Sequence, residues 1–414
     1  MIAIQTEPKL QLPPNLNSKE FASNKYEYYK WMREEAPVFR GKISVIDTYI
    51  LSRYDDCVNF LKDPRFVRNR TTATGSSNIL PVPLPRSVQL IARSMITEDD
   101  PNHRRLRDLV HQVFTRHSLE KMSARIEVLT NDLLDRAEAK SKLEGAVDLK
   151  ETYALPIPVT VIKEMMGVED EDMPRFKDGL TALKDGFSGW TMLRTVFWDM
   201  PRLSKFVREL VERKRSNPQD DMLTKLIQAE AEGQKLNEDE LVAMVFLMII
   251  AGYETTVQLI TNGVLALLQH PDQLEKLRAQ PELMPSAVEE ILRYIGPVQS
   301  TKPGYALEDV TLHGVTIPKG ATVMPFLGAA NHDPAVFENP DVFDIERFPN
   351  KHLGFGSGIH ACLGAPLARM ETKIALTNLL QRNPNLCLAV DSSELELQVR
   401  PGWHTYKKLP ITFL

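Results

Sequence analysis

The stretch GFGSGIHACLG, Gly354 to Gly364, sets one of only three cysteines among glycines, just behind Phe355 and His360. Glycines carry no side chain, so neighbouring backbone N–H groups can turn toward one point. Cys362 also stands on the threshold of a helix. That helix is legible from Leu363, Leu367, Met370 and Ile374, from Pro366 in its first turn, and from Arg382 and Pro384 at its end. A thiol at a helix N-terminus among amide donors is expected to have a lowered pKa and to be held as thiolate, the form that ligates metals and attacks electrophiles. No second cysteine stands nearby and the spacing of a tetrahedral site is absent, which argues against structural zinc. Two uses remain open: a nucleophilic thiol with His360 as its base, or a single thiolate bound axially to an iron whose other ligands come from a macrocycle.

Two further patterns are weaker. Ala251-Gly252-Tyr253-Glu254-Thr255-Thr256 puts a carboxylate and two hydroxyls inside an apolar run. Burying such groups costs free energy unless they are bonded, and threonine hydroxyls often bond the carbonyls of their own helix. In PSAVEEILRYIGP, Glu290 and Arg293 lie three apart on one helical face. Taken alone, that pair reads as a solvated ion pair of the kind most surface helices carry.

These residues need elements to hold them. Asn237 with Glu240 three residues later forms a capping box, and no proline interrupts the pattern before His270. The spacing predicts one very long helix, roughly 45 to 50 Å at 1.5 Å per residue. Its apolar heart, LVAMVFLMIIAG, is shorter than the ~20 residues of a membrane span, so a buried core helix is expected. From Tyr54 to Tyr294 the text is mostly helical, broken at Asp100-Pro101, Asn217-Pro218 and His270-Pro271. Strand-like text occupies Ile43 to Leu51, Asp309 to Phe326, and the final LELQVRPGWHTYKKLPITF. The expected class is mainly α with small β-sheets, α+β. With no linker, repeat or low-complexity tract, residues 1–414 read as a single domain, a helix-rich lobe with a smaller β-containing one.

Composition narrows the function. A chain of 414 residues with 43% hydrophobic and 25% charged residues can bury a large core. A net charge of -5 argues against nucleic acid as the main partner, and the basic run His103 to Arg107 is too short to reverse that. Cys57, Cys362 and Cys387 are too few and too scattered for a disulfide framework, which suits a reducing cytoplasm. MIAIQTEPKLQLPP has neither a charged n-region nor a sustained apolar stretch, so no signal peptide, anchor or membrane association is expected.

The pattern FGxGxHxCxG, as Phe355, Gly356, Gly358, His360, Cys362 and Gly364, resembles the haem-binding loop of the cytochrome P450 family. AGYETT resembles the oxygen-binding segment of the family's longest helix, and Glu290-Ile291-Leu292-Arg293 resembles its ExxR pair. The likeness runs from about Pro37 to Pro410 and is greatest to soluble bacterial members. It implies the cytochrome P450 fold, with the long helix over haem b and the cysteine loop beneath. It implies Cys362 as the iron's proximal ligand, Phe355 packed on the haem near the sulfur, and Gly356 and Gly358 allowing close approach. Ala251 would border the cofactor, while Glu254 and Thr255 would orient dioxygen and relay two protons. Glu290 and Arg293 would bond with Arg347 to lock the loop. His103, Arg107 and His360 would hold the haem propionates, with Arg104 and Arg105 facing solvent. One departure stands out: where relatives often carry an arginine to a propionate, this chain has Gly304, so either Lys302 substitutes or that propionate is held differently.

By the same resemblance, the pocket draws on Leu247, Ile250, Ala251, Val298, Gln299 and Trp403, on the loop before His103 and on Asp185 to Trp198. The loop Thr71 to Pro85 is rich in Thr, Ser and Pro and reads as a lid with few charges, which suits a mainly apolar organic molecule. Electrons would come from a separate ferredoxin and its reductase, docked on Arg104, Arg105, Arg369 or Lys373 of a monomer. The resulting expectation is a monooxygenase that hydroxylates or epoxidises a small lipophilic compound such as a natural-product intermediate. A haem-thiolate enzyme that uses peroxide or couples C–C or C–O bonds is the alternative, and a non-catalytic haem sensor or carrier is a third.

Overall fold

The computed structural model describes residues 15–413 except 44–45, 76–88, 90–93, 115, 177, 180–193 and 230–234. The amino terminus through residue 14, most of the Thr71–Pro85 loop, part of the loop before His103, and residues 185–193 lie outside the described residues. The main elements begin with α1 (Lys25–Glu35), β1 (Val38–Ile43), β2 (Ile46–Leu51), α2 (Tyr54–Phe60), β3 (Phe66–Val67), α3 (Asn102–His111), α4 (Arg116–Glu144) and β4 (Val147–Asp148). They continue with α5 (Pro156–Met166), α6 (Met200–Ser216), α7 (Glu238–Gln269), α8 (Met284–Ile295), β5 (Gly304–Ala306) and β6 (Val310–Leu312). The last are β7 (Val315–Ile317), β8 (Thr322–Pro325), α9 (Ala365–Arg382), β9 (Cys387–Leu388) and β10 (Pro410–Thr412).

The chain divides into two compact units. One comprises Met1–Gly75, Glu289–Ala361 and Leu395–Lys407; the other comprises Ser76–Val288, Cys362–Glu394 and Lys408–Leu414. The first unit is built on a five-stranded sheet in the order β1-β2-β8-β5-β3. The extended text from Ile43 to Leu51 is not one strand: Ile43 ends β1, which pairs antiparallel with β2 (Ile46–Leu51), Val38 opposite Leu51. Its aromatic and β-branched residues marked extended chain but not the division into two strands. β6 and β7 form a hairpin whose two turn residues, His313 and Gly314, both have positive φ, 49° and 77°, the conformation that a two-residue hairpin turn requires. Val38, Leu51, Phe60, Val323 and Leu353 pack together as the core of this unit.

The second unit is organised by α7. Asn237 Oδ1 accepts from the Glu240 backbone N–H at 2.9 Å and Glu240 Oε2 accepts from the Asn237 N–H at 3.0 Å, so the expected capping box is present. The helix then runs 32 residues, to Gln269. It is the one helix among the described residues long and apolar enough to cross a membrane, yet 67% of its most apolar stretch is buried inside the protein, as befits a core element. At Gly252 it comes close to α5: a Cβ there would lie 3.0 Å from Ile162 Cδ1. Helix α9 also packs on α7. It begins at Ala365 with Gly364 as its N-cap, so Leu363 precedes the helix. Its buried face includes Glu371, Thr372, Ile374, Ala375, Leu376 and Leu379, so of the stripe expected from Leu363, Leu367, Met370 and Ile374 only Ile374 is buried.

Candidate functional site

Three residues before α9, Cys362 meets the amide donors that its position promised. Its sulfur accepts from the backbone N–H groups of Gly364 and Ala365, and Arg107 and Arg369 add positive charge. The expected depression of the thiol pKa is nevertheless not found. Burial pushes the Cys362 thiol above its ordinary value, because desolvation of a thiolate outweighs the two amides and two guanidiniums together. Solvent still reaches the residue. A coordinated metal ion deprotonates a thiol outright, so this environment suits a ligand sulfur better than a free nucleophile.

The middle of α7 shows a strip that the protein leaves uncovered. Residues 241–246 and 256–267 are buried, but Leu247, Met248, Ile250, Gly252 and Thr255 are half-buried and Ala251 is exposed. Leu247, Ala251 and Thr255 recur every fourth residue and so share one face. Thr255 Oγ1 donates to the Ala251 carbonyl at 2.7 Å, and Thr256 Oγ1 to that of Gly252 at 3.2 Å. Glu254 is not on the strip. It is buried, its Oε1 accepting from Gln258 Nε2 at 3.1 Å. The structure thus groups Ala251 and Thr255 but places the Glu254 carboxylate about 100° around the helix, on the covered side.

On α3, His103 is buried and Arg107 follows one turn later on the same face. His103 Nδ1 lies 3.5 Å from Asp100 Oδ1; burial lowers its pKa, opposed by that carboxylate. Arg104 faces solvent as expected and leans on Asp100 at 3.2 Å. Arg105 does not. Its guanidinium is tied to Glu240, the capping residue of α7, and to Asn102 Oδ1 at 2.7 Å. Nothing local in the sequence pairs residues 105 and 240.

In the other unit, Glu290 and Arg293 are wholly buried, which overturns the reading of a solvated pair. Arg293 donates to both Glu290 oxygens at 2.8 Å and to the carbonyls of Asn331, Pro340 and Val342. Arg347 Nε donates to Glu290 Oε1 at 3.2 Å, as the resemblance implied. Sequence reasoning missed Asn350, whose Nδ2 donates to Glu290 Oε2 at 3.0 Å, and Asn331, whose Oδ1 holds the Leu353 N–H at 2.7 Å. It also missed His352, bonded to Glu289 and accepting from the Gly354 N–H. Their residue types are common in loops and gave no signal. Phe355 is half-buried with its ring 6.2 Å from that of His352. Gly356 and Gly358 have φ of 69° and 71°, and a Cβ on Gly358 would sit 2.2 Å from the Leu61 carbonyl oxygen, so neither position accepts a side chain without strain. His360 closes a short 3-10 turn and is half-buried. Val298 and Trp403 bridge antiparallel and stay partly accessible. Gln299 is buried and donates from Nε2 to the Gly296 carbonyl at 2.6 Å.

Among the described residues no group of three or more His, Cys, Asp or Glu is disposed to hold a metal ion. The donor set is one sulfur under amides and cations, together with an uncovered helical strip. This is what an iron macrocycle with one axial protein ligand requires, and the residues present fit it.

A model of the family described as Cytochrome P450 matches residues 7–383. The chain is 38% identical over 408 residues to the polyketide biosynthesis cytochrome P450 PksS of Bacillus subtilis, covering 98% of this chain and 99% of that one. It is 37% identical over 409 residues to the vitamin D(3) 25-hydroxylase of Pseudonocardia autotrophica, covering 96% of each. Among solved structures, that of P450BioI in complex with hexadec-9Z-enoic acid ligated acyl carrier protein superposes with a TM-score of 0.85 at 37% identity, covering 95% of this chain and 99% of that one.

Proposed function

The chain belongs to the cytochrome P450 family of monooxygenases, and from that membership we propose that it hydroxylates or epoxidises a small, mainly apolar organic molecule at a haem b whose iron is ligated by Cys362. The observation that carries this reading is the sulfur of Cys362, accepting from two backbone N–H groups with Arg107 and Arg369 alongside. Bound haem-thiolate supplies dioxygen binding and O–O cleavage, which the anionic sulfur favours by donating electron density to the iron.

The chain's own residues have separable duties. Gly364 and Ala365 N–H groups hold the charge on sulfur. His103, Arg107 and His360 satisfy the propionates. Thr255 offers a hydroxyl on the uncovered strip, where it would orient dioxygen and pass a proton after leaving the Ala251 carbonyl to which it now donates. Glu254 takes part from the covered side, by rotating away from Gln258. Substrate contact falls to Leu247, Ile250 and Ala251 on the strip, and to Val298 and Trp403. The relatives described above are named for a polyketide, for vitamin D3 and for a carrier-bound hexadecenoic acid, which supports a lipophilic natural-product substrate. Electrons come from a separate ferredoxin and reductase.

The test is optical. Purified protein reduced under carbon monoxide is expected to show the strongly red-shifted Soret band of thiolate ligation, and a histidine-type band would overturn the assignment of Cys362.

A further inference from the structure

Strands β3 and β5 run antiparallel with Phe66 opposite Ala306 and Val67 opposite Tyr305. Continuing that register by one residue puts Arg68 opposite Gly304, with both Cβ directions on the same face of the sheet. Position 304 has no room for a side chain of its own: a Cβ there would lie 2.8 Å from Phe60 Cζ and 3.2 Å from the Val67 carbonyl oxygen. The Arg68 guanidinium lies over that same Phe60 ring, 5.3 Å from its centroid. A cation just past the end of β3 therefore lies against the same ring that closes off position 304. Its fork is oriented by Nη1 donating to the Lys302 carbonyl and Nη2 to Thr301 Oγ1 at 3.4 Å.

Lys302 adds a second charge. Its side chain is exposed, and the partial desolvation of its ammonium together with the Arg68 charge lowers its pKa. No carboxylate forms an ion pair with Lys302 or with nearby Arg70 among the described residues. Like charges held close together are eased when an anion joins them, and a carboxylate matches the planar guanidinium fork.

We propose that Arg68 and Lys302 form a carboxylate-binding pair whose ligand is a haem propionate, with Arg68 supplying from the adjacent strand the guanidinium that Gly304 lacks. This rests on the haem-thiolate reading above and answers the one departure from the family pattern at the residue that compensates for it.

The experiment follows haem transfer from purified holoprotein to excess apomyoglobin in the Soret region. Arg68→Gln is expected to lose protohaem about tenfold faster or more, the scale of a lost charge-assisted hydrogen bond. Lys302→Met should lose it severalfold faster, and Arg68→Lys should fall between wild type and Arg68→Gln. Protein reconstituted with protohaem dimethyl ester, whose propionates carry no charge, should release its cofactor at one rate from wild type and from all three variants. Unchanged protohaem loss in both Arg68→Gln and Lys302→Met overturns the proposal. So does equal acceleration with both haems, which would make Arg68 a purely structural brace of residues 301 and 302. The other source of a carboxylate is the substrate: if Arg68→Gln weakens the spin-state response to a long-chain fatty acid but not to its methyl ester, with haem loss unchanged, the pair belongs to substrate and the propionate assignment fails. Failure of the underlying reading is separate, because wild-type protein would then show no thiolate-type band.

Discussion

Thr255 and Glu371 show how differently single polar residues can be used inside one core. Thr255 stands on the uncovered strip with its hydroxyl bonded to its own helix, so it is placed but not committed. Replacing it with alanine should leave reductant consumption in place while product formed per reductant falls severalfold; unchanged coupling would count against the proton-relay role. Glu371 is buried on α9 with Oε2 meeting no donor among the described residues, and burial raises its pKa to about 8. Between about 4.5 and 8 the folded protein therefore holds a proton that the unfolded chain has released, and stability contributed at low pH is lost as pH rises across that window. Glu371→Gln removes this loss. Its stability relative to wild type, read from urea midpoints, should improve between pH 5 and 8 by up to about 1.4 kcal/mol per pH unit. A difference that stays flat with pH would mean that Glu371 is ionised in the fold.

At the scale of elements, the buried pair on α8 is a fastening between segments far apart in sequence. Arg293 bonds carbonyls at 331, 340 and 342, and Glu290 accepts from Arg347, Asn350 and the Asp344 N–H. One helical turn thereby fixes the chain that leads, through the Asn331 bond to Leu353, into the glycine loop. Arg293→Ala leaves the Glu290 carboxylate buried with only Arg347 opposite it, a change that costs about 3–5 kcal/mol. Denaturant midpoints and haem retained per chain should both fall; a loss under ~1 kcal/mol would show that water or Arg347 replaces the missing charge.

For the whole molecule, the net charge of -5 makes any cationic patch stand out against its background. The patch expected from Arg104, Arg105, Arg369 and Lys373 is narrower than its sequence suggests, since Arg105 is engaged by Glu240 and Arg104 leans on Asp100. Lys373 is exposed on α9, one turn from half-buried Arg369, which also acts on Cys362. Turnover supported by an acidic ferredoxin should decline as salt rises from about 0.05 to 0.5 M, because the screening length shrinks below the separation of the encounter pair. A rate independent of ionic strength would remove these two residues from the docking role.

Short-range spacing made the central features legible in the sequence. The glycine loop around Cys362, the Asn237–Glu240 cap, and the Glu290–Arg293 and Ala251–Thr255 placements all span a few residues along the chain, where helix geometry and backbone sterics alone decide who faces whom. What required the folded chain was every property set by neighbours distant in sequence. Burial turned a weak surface-pair motif into a fastening at Glu290 and raised the Cys362 thiol where local donors promised the reverse. Pairing across 135 residues ties Arg105 to Glu240 and half-buries it, and strand register brought Arg68 opposite Gly304. Desolvation and partner choice depend on which surfaces meet in space, and a linear pattern carries no record of that meeting.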